Sequence, residues 1–474
     1  MIFTSIEYLV FLPLAFVLFW TIPARHRWAF LLIISYVFYM FWKVEYALIM
    51  LTLTIVDYFA GLKIADATSK SSRQWWLAGS LVANLSMLFF FKYYNFAAME
   101  ANSLVRDFDS TFRLPLADIV LPLGISFHTF QAMSYTLDIY HDRIKPERHI
   151  GYFALFIAYF PQIVAGPIER AGHLLVQLRQ AQKFSYERAR EGFFLILLGF
   201  FKKLVIADNL AVYVDQCYGP WEDVQGASLL LATYAFAFQI YADFSGYTDI
   251  ARGSAKLLGV DLAINFRMPY LAESVGDFWR RWHISLTSWF RDYVYKPLLA
   301  TPAKCSRTAA VFAIFLLSGL WHGANWTFIA WGMINALFYF LNEKFIALKP
   351  SWNSSPLFRP LRILLTFNLI AITWVFFRAD SIESAVGILG RIAAYFLGIG
   401  GDGKWVMESL GFVWTGMLAG FLILIAEYVQ QSRPLLVSDL ARIRSARWAA
   451  YFFLTYTTIL LGNLGVKQFI YFQF

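Results

Sequence analysis

The chain carries little charge and almost no cysteine. Of its 474 residues only 15% are Asp, Glu, Lys or Arg, against roughly 25% in ordinary soluble domains. A soluble fold of this size would lack the polar residues to cover its surface. The two cysteines, Cys217 and Cys305, stand far apart. That excludes a CxxC redox pair, a zinc pattern and a disulfide framework. Seven histidines are scattered with no HExxH and no His-rich tract, so nothing supports a metal site. No Gly-x-Ser-x-Gly elbow raises a serine nucleophile, which leaves a hydrolase triad unsupported. Residues Gly398 to Lys404 spell G-x-x-x-x-G-K, but Trp405 stands where a P-loop needs Ser or Thr, and no strand precedes it. There is no repeat of fixed period and no low-complexity linker. The two halves do not mirror each other, which argues against an inverted-repeat transporter.

Apolar residues are what the chain has in abundance, at 59%, with 19% aromatic. Apolar stretches of bilayer length recur near 6–22, 28–46, 47–63, 76–92, 117–139, 150–166, 191–211, 226–243, 308–321, 324–342, 359–377, 382–398, 409–429 and 447–463. Some are too short or too broken to cross. The reading is an all-α polytopic membrane protein, with about eleven transmembrane helices plus re-entrant or interfacial ones, in a single domain over residues 1–474. The first stretch, Ile6 to Ile22, is read as a transmembrane helix. No positive segment precedes it, and a basic flank, Pro23 to Arg27, follows it, so it does not read as a cleavable leader. The net charge of +9 sits at the ends of apolar stretches. It fits cytoplasmic loops rather than nucleic acid. If the loops after the first, third and fifth spans are cytoplasmic, the N-terminus faces outward. The basic stretch 167–190 breaks a simple alternation unless a neighbouring segment is re-entrant.

Four segments place polar groups where the bilayer should be. In Ser318-Gly319-Leu320-Trp321-His322-Gly323-Ala324-Asn325-Trp326, a histidine and an asparagine interrupt an apolar run from Ala309 to Leu341. An imidazole at that depth is costly unless it is hydrogen-bonded or lines a cavity. The small residues around it leave room for a neighbouring helix or for a substrate. Glu273 to Leu298 alternates arginines and His283 with tryptophans. Read as one helix, it sets Trp279, Trp282 and Trp289 near one stripe with arginines beside it. It is either an interfacial amphipathic helix or an element carrying His283 into a polar cavity, with Arg280 and Arg281 able to hold an anionic donor. Tyr241 to Asp249 brings Asp243, Ser245 and Asp249 to the end of an apolar span, where Gly246 predicts a break; a capped helix end explains it equally well. Leu121 to Gln131, continued by Ser134, Tyr135 and Asp138, aligns positions 124, 128, 131 and 135 on one helical face that must look into protein. Core packing and function both remain open for that face. The Pro161 to Glu169 stretch marks a broken helix.

Taken together, these residues resemble the membrane-bound O-acyltransferase (MBOAT) family, closest to its bacterial alginate O-acetylation branch. The matching stretches are Leu121–Phe130 with Tyr135 and Asp138, Ala165–Pro167, Asp243–Tyr247, Phe278–Ser285, Gly319–Asn325, Trp374–Ala379 and the ending Phe469–Phe474. They cover most of the chain in family order. The W-H-G-A-N and F-W-R-R-W-H blocks are the most specific. His128 departs from the pattern, standing where close relatives have an aromatic residue.

The resemblance implies a helical bundle around a central tunnel, and acyl transfer from a thioester to a hydroxyl. His322 falls on the catalytic histidine, as general base. His283 falls on the second polar position and would polarise the carbonyl or orient the donor. Asn325, Arg280, Arg281, Trp321, Asp243, Ser245 and His128 are the candidate substrate- or donor-binding residues. Asn325, three residues after His322, lies on a neighbouring helical face if the helix runs on. The implied donor is acetyl-CoA from the cytoplasm, with no resident cofactor. The acetyl group would leave on the outer face of a bacterial inner membrane, to an esterase-like periplasmic partner and a polysaccharide machinery. D-alanyl transfer to teichoic acid or peptidoglycan O-acetylation is the alternative. A non-catalytic transporter or polymer-export subunit is the reading of a different class.

Overall fold

The computed structural model describes residues 1–106, 113–164, 166–300, 305–399, 403–465 and 469–470, without the side chains of 353–354 and 437–438. Ala165, residues 400–402 and residues 471–474, all within segments singled out above, lie outside the described residues. The fold is helical. Among the described residues, the one extended pairing outside helices is a bridge between Val224 and Lys404. Five helical stretches are long and apolar enough to cross a bilayer: Tyr46–Asp66, Lys70–Arg106, Gly226–Leu257, Pro356–Arg378 and Leu410–Ser432. Ile6–Thr21, Ile150–Ile163 and Arg307–His322 are apolar but shorter. The protein is a multi-pass membrane protein. Its chain forms two compact units, one of Met1–Phe193 with Ala251–Ala263, the other of Phe194–Ile250 with Ile264–Phe474.

In the first unit, α1 (Ile6–Thr21) starts where the Ser5 hydroxyl accepts from the Tyr8 N–H, satisfying one of the orphan donors of a helix start. The Tyr8 hydroxyl then meets Ser254 Oγ at 2.6 Å. Glu169 accepts from the Ala263 N–H at 2.6 Å. Those two contacts hold residues 251–263 in this unit. Helix α2 (Tyr46–Asp66) buries Asp57 completely. A carboxylate at such depth must be compensated. Ser80 and Asn84 of α3 (Lys70–Leu88) donate to it at 2.5 and 2.9 Å, and Ser80 Oγ also lies 3.1 Å from Thr136 Oγ1 of α4 (Ile125–Tyr140). Three helices are thus pinned by one buried polar knot. Gly124, at φ 69°, opens α4 in a left-handed turn, where an added Cβ would strike the Ile163 carbonyl. α5 (Ile150–Ala158) packs its Phe153 ring 4.5 Å from that of Tyr135.

The second unit is built around two consecutive lysines. Residues Phe201–Ala207 form a π-helical stretch, a feature often found at functional sites. The stretch is buried but for its fourth residue, Leu204. Lys203 Nζ sits 2.8 Å from both Asp208 and Asp243. Lys202 Nζ sits 2.9 Å from Asp249 and 3.8 Å from Glu427. Asp243 and Asp249 belong to α6 (Gly226–Leu257), of which the part through Ile250 lies in this unit. Contrary to the expected break, α6 runs straight through Gly246. A Cβ at Gly246 would lie 2.9 Å from the Gly199 carbonyl, and one at Gly199 would lie 2.6 Å from the Gly246 carbonyl. The paired glycines let two backbones touch; they do not end the helix.

Candidate active site

His322 is the last residue of α9 (Arg307–His322); α7 (Val275–Arg281) and α8 (Ile284–Phe290) precede it, and α10 (Trp326–Leu348) follows. The 309–341 run is therefore a helical hairpin. Gly323 turns fully extended, and Asn325 starts the next helix by accepting from the Thr327 N–H at 3.0 Å. Its Nδ2 donates to the Asp380 carbonyl, also at 3.0 Å. Asn325 does not sit on the helix of His322, because that helix has already ended. Its amide caps a helix and ties down a loop. The small residues around His322 serve the neighbouring helix. A Cβ at Gly319 would run into the Phe328 carbonyl, one at Gly332 into the Phe315 carbonyl, and one at Gly323 into the Phe328 ring.

This close approach sets where His322 stands. Gly319→Ala forces α9 and α10 apart, and overpacking of this kind costs about 1–3 kcal/mol. We expect a lowered melting temperature in detergent; with His322 as the base that the family resemblance implies, turnover falls much further, since small misplacements of a reacting group are costly. A Gly319→Ala protein with unchanged melting and turnover would show that the tight crossing does not matter.

The His322 ring is buried among aromatics, its centroid 5.0 Å from Trp321, 5.1 Å from Trp331 and 5.2 Å from Phe377. His283 is buried too, 4.7 Å from the Phe244 ring and 5.9 Å from Trp321. Both histidines therefore lie against one indole, that of Trp321. Trp374, on α11 (Arg359–Arg378), stacks on Trp331 at 6.0 Å and 18°, and lies 5.1 Å from Trp282. The result is a buried aromatic enclosure around two imidazoles.

The segment carrying His283 is not one helix. It breaks between α7 and α8, with His283 itself at φ 43°. A β-carbon makes that left-handed conformation costly, by roughly 1–2 kcal/mol, so the surroundings must hold it. Asn265, fully buried, does so: its carbonyl accepts from Ile284 N at 2.9 Å and its Oδ1 from Ser285 N at 3.3 Å. Sequence reading missed Asn265. Its advance signal was an asparagine following the apolar Leu262-Ala263-Ile264 and preceding Phe266.

The other expected residues divide. Arg281 pairs with Asp277 at 2.9 Å, while Arg280 is largely exposed and 3.6 Å from the same carboxylate. Asp243 is part of the Lys203 cluster, and its Oδ2 accepts from the Ile470 N–H at 2.7 Å. That contact seats the Phe469 ring 5.6 Å from Phe244 and 4.5 Å from Tyr247, on the side of His283. Ser245 borders a narrow cleft with Lys202, Tyr241 and Phe238, and its hydroxyl has no hydrogen-bond partner among the described residues. His128 belongs to the first unit. It is buried in the first turn of α4, and neither ring nitrogen has a hydrogen-bond partner among the described residues.

The chain thus brings two buried histidines against the same indole in a multi-pass membrane protein. Residues 147–378, which include both histidines, match the model of MBOAT, the membrane-bound O-acyltransferase family. The chain is 35% identical over 413 residues to the "Probable alginate O-acetylase AlgI" of Azotobacter vinelandii, covering 86% of this chain and 80% of the relative. It is 32% identical over 421 residues to a peptidoglycan O-acetyltransferase of Helicobacter pylori, covering 81% and 78%. It is 28% identical over 272 residues to a teichoic acid D-alanyltransferase of Bacillus subtilis, covering 55% and 68%. The chain belongs to the membrane-bound O-acyltransferase family and is an O-acyltransferase.

Proposed function

We propose that this O-acyltransferase takes an acetyl group from acetyl-CoA on the cytoplasmic side of a bacterial inner membrane. It delivers that group outward for O-acetylation of an exopolysaccharide such as alginate or cellulose, through an esterase-like periplasmic partner. The observation that carries the reading is the pair of buried histidines packed on Trp321, in a chain 35% identical to alginate O-acetylases over most of its length.

The chemistry follows from the chamber. An acceptor hydroxyl oxygen attacks the thioester carbon; a C–O bond forms and the C–S bond breaks. His322 takes the hydroxyl proton and returns it to the departing thiolate, so no net charge remains. The aromatic walls exclude water, which would otherwise hydrolyse the thioester. His283, held in its left-handed turn, faces the same indole and orients or polarises the acyl group. The likeness to a peptidoglycan O-acetyltransferase over 81% of the chain favours peptidoglycan as the second reading for the polymer, with the same donor.

The test uses purified protein in nanodiscs. With radiolabelled acetyl-CoA, we expect release of free CoA and transfer of label to an added acceptor hydroxyl. A parallel arm supplies a D-alanyl carrier protein. Release of the D-alanyl carrier but not of CoA would overturn the acetyl-CoA donor. No thioester cleavage in either arm would overturn acyl transfer from these donors and favour a transport role.

A further inference from the structure

Indole N–H groups are among the few polar atoms that the chamber walls contribute. Trp331 and Trp374 are essentially without solvent exposure, at 0% and 1%. The Nε1 of each is buried and has no acceptor among the described residues. Trp279, 5.6 Å from Trp331, adds a third such indole. The large majority of buried polar groups in folded proteins are hydrogen-bonded, and leaving one unmade costs about 1–3 kcal/mol. Three in one cluster is a concentration of unmet donors, and Trp331 at its centre packs on His322. The Trp331 ring lies 5.1 Å from the imidazole, edge-on at 84°, and Phe377 closes the other side at 5.2 Å from His322 and 5.4 Å from Trp331.

An indole is a donor only. It cannot take a proton from the acceptor hydroxyl or compete with His322 as a base. A neutral, rigid donor held by packing suits an oxygen that gains negative charge during the reaction. We propose that the Trp331 N–H, with that of Trp374 beside it, donates to the carbonyl oxygen of the acyl group as the tetrahedral stage forms. This rests on the acyl-transfer reading above. In that stage the C–O bond is made before the C–S bond breaks, and the electron pair of the carbonyl π bond resides on that oxygen. Donors fixed in advance stabilise that charge without reorganising. The rings that carry them also stack on each other, at 6.0 Å and 18°, so neither can turn away.

The experiment replaces each tryptophan in the full-length protein by β-(3-benzothienyl)alanine through amber suppression. The bicyclic shape stays, and sulfur takes the place of N–H. Trp331→Phe and Trp374→Phe are made alongside, with melting temperature as the control for packing. For the benzothienyl variant at 331 we expect a kcat about 10²–10³-fold lower, the usual consequence of losing one oxyanion donor. The KM for the thioester should stay within a few fold and melting should stay unchanged. A smaller loss is expected at 374. Wild-type kcat in both benzothienyl variants, with loss only in the Phe variants, would overturn the inference and make the rings packing elements. A rise in KM at constant kcat would overturn it too, because the contact would then bind ground and transition states alike. If the unmodified protein shows no His322-dependent thioester cleavage, the acyl-transfer reading itself fails, a result separable from the other two.

Discussion

His322→Ala lowers acyl transfer by about 10²–10⁴-fold, the range contributed by a positioned general base, while the protein still inserts and folds. The imidazole sits at the end of α9, after the helix has made its last hydrogen bonds, and Gly323 leaves the helix immediately. The close crossing of α9 and α10 is made by Gly319 and Gly332 against the opposing backbone, not by the imidazole, so the hairpin is expected to stay in place when the ring is removed. The cost to stability is a cavity among Trp321, Trp331 and Phe377. His322→Gln fills much of that space without supplying a base of comparable strength, and it should be as inactive as His322→Ala. The measurement is release of CoA from labelled acetyl-CoA by purified protein, with the elution profile and melting temperature as controls. Wild-type turnover in a folded His322→Ala protein would remove His322 from the chemistry.

Lys203→Met destabilises the protein by about 3–5 kcal/mol, the cost of leaving buried partners of an ion pair uncompensated. Lys203 Nζ lies between Asp208 and Asp243, each at 2.8 Å, and all three side chains are at most 4% exposed. Without the ammonium, two buried carboxylates face each other. The comparison is Lys256→Met: Lys256 is 19% exposed and its partners more so, and surface pairs contribute at most about 1 kcal/mol. Combining Lys203→Met with Asp208→Asn and Asp243→Asn should recover most of the loss, because no unpaired charge then remains. Thermal unfolding in detergent reads all three. A Lys203→Met protein as stable as Lys256→Met would show that the cluster is hydrated, not buried.

Hydropathy gave the helical class and most of the apolar helices, since bilayer-length runs are a one-dimensional property. The His322 segment was legible because its polar residues interrupt such a run. What hydropathy could not supply was pairing between distant segments. Asp57 reads as a misplaced charge until Ser80 and Asn84 close on it. Lys202 and Lys203 sit inside an apolar stretch, and Asp208, the carboxylates of α6 and Glu427 explain them. Gly246 suggested a break, because glycine weakens a lone helix. Nothing local announces that Gly199 lies across from it. The stripe expected over Glu273–Leu298 failed at His283, whose left-handed backbone is held by Asn265 from another loop. The i+3 spacing of Asn325 from His322 assumes an unbroken helix, whereas Asn is also a favoured N-cap residue, the role it takes here.

The seat of Ile470 on Asp243 has a consequence for biosynthesis. The two residues are 227 positions apart, so α6 leaves the ribosome long before the segment that completes its surroundings. Until Phe469 arrives beside Phe244 and Tyr247, the His283 side of the chamber lacks one of its walls. Closure of that wall is a long-range contact, of the kind whose loop-closure entropy slows folding. The packing around Phe244 and His283 is therefore completed only once residues 469–470 have been made.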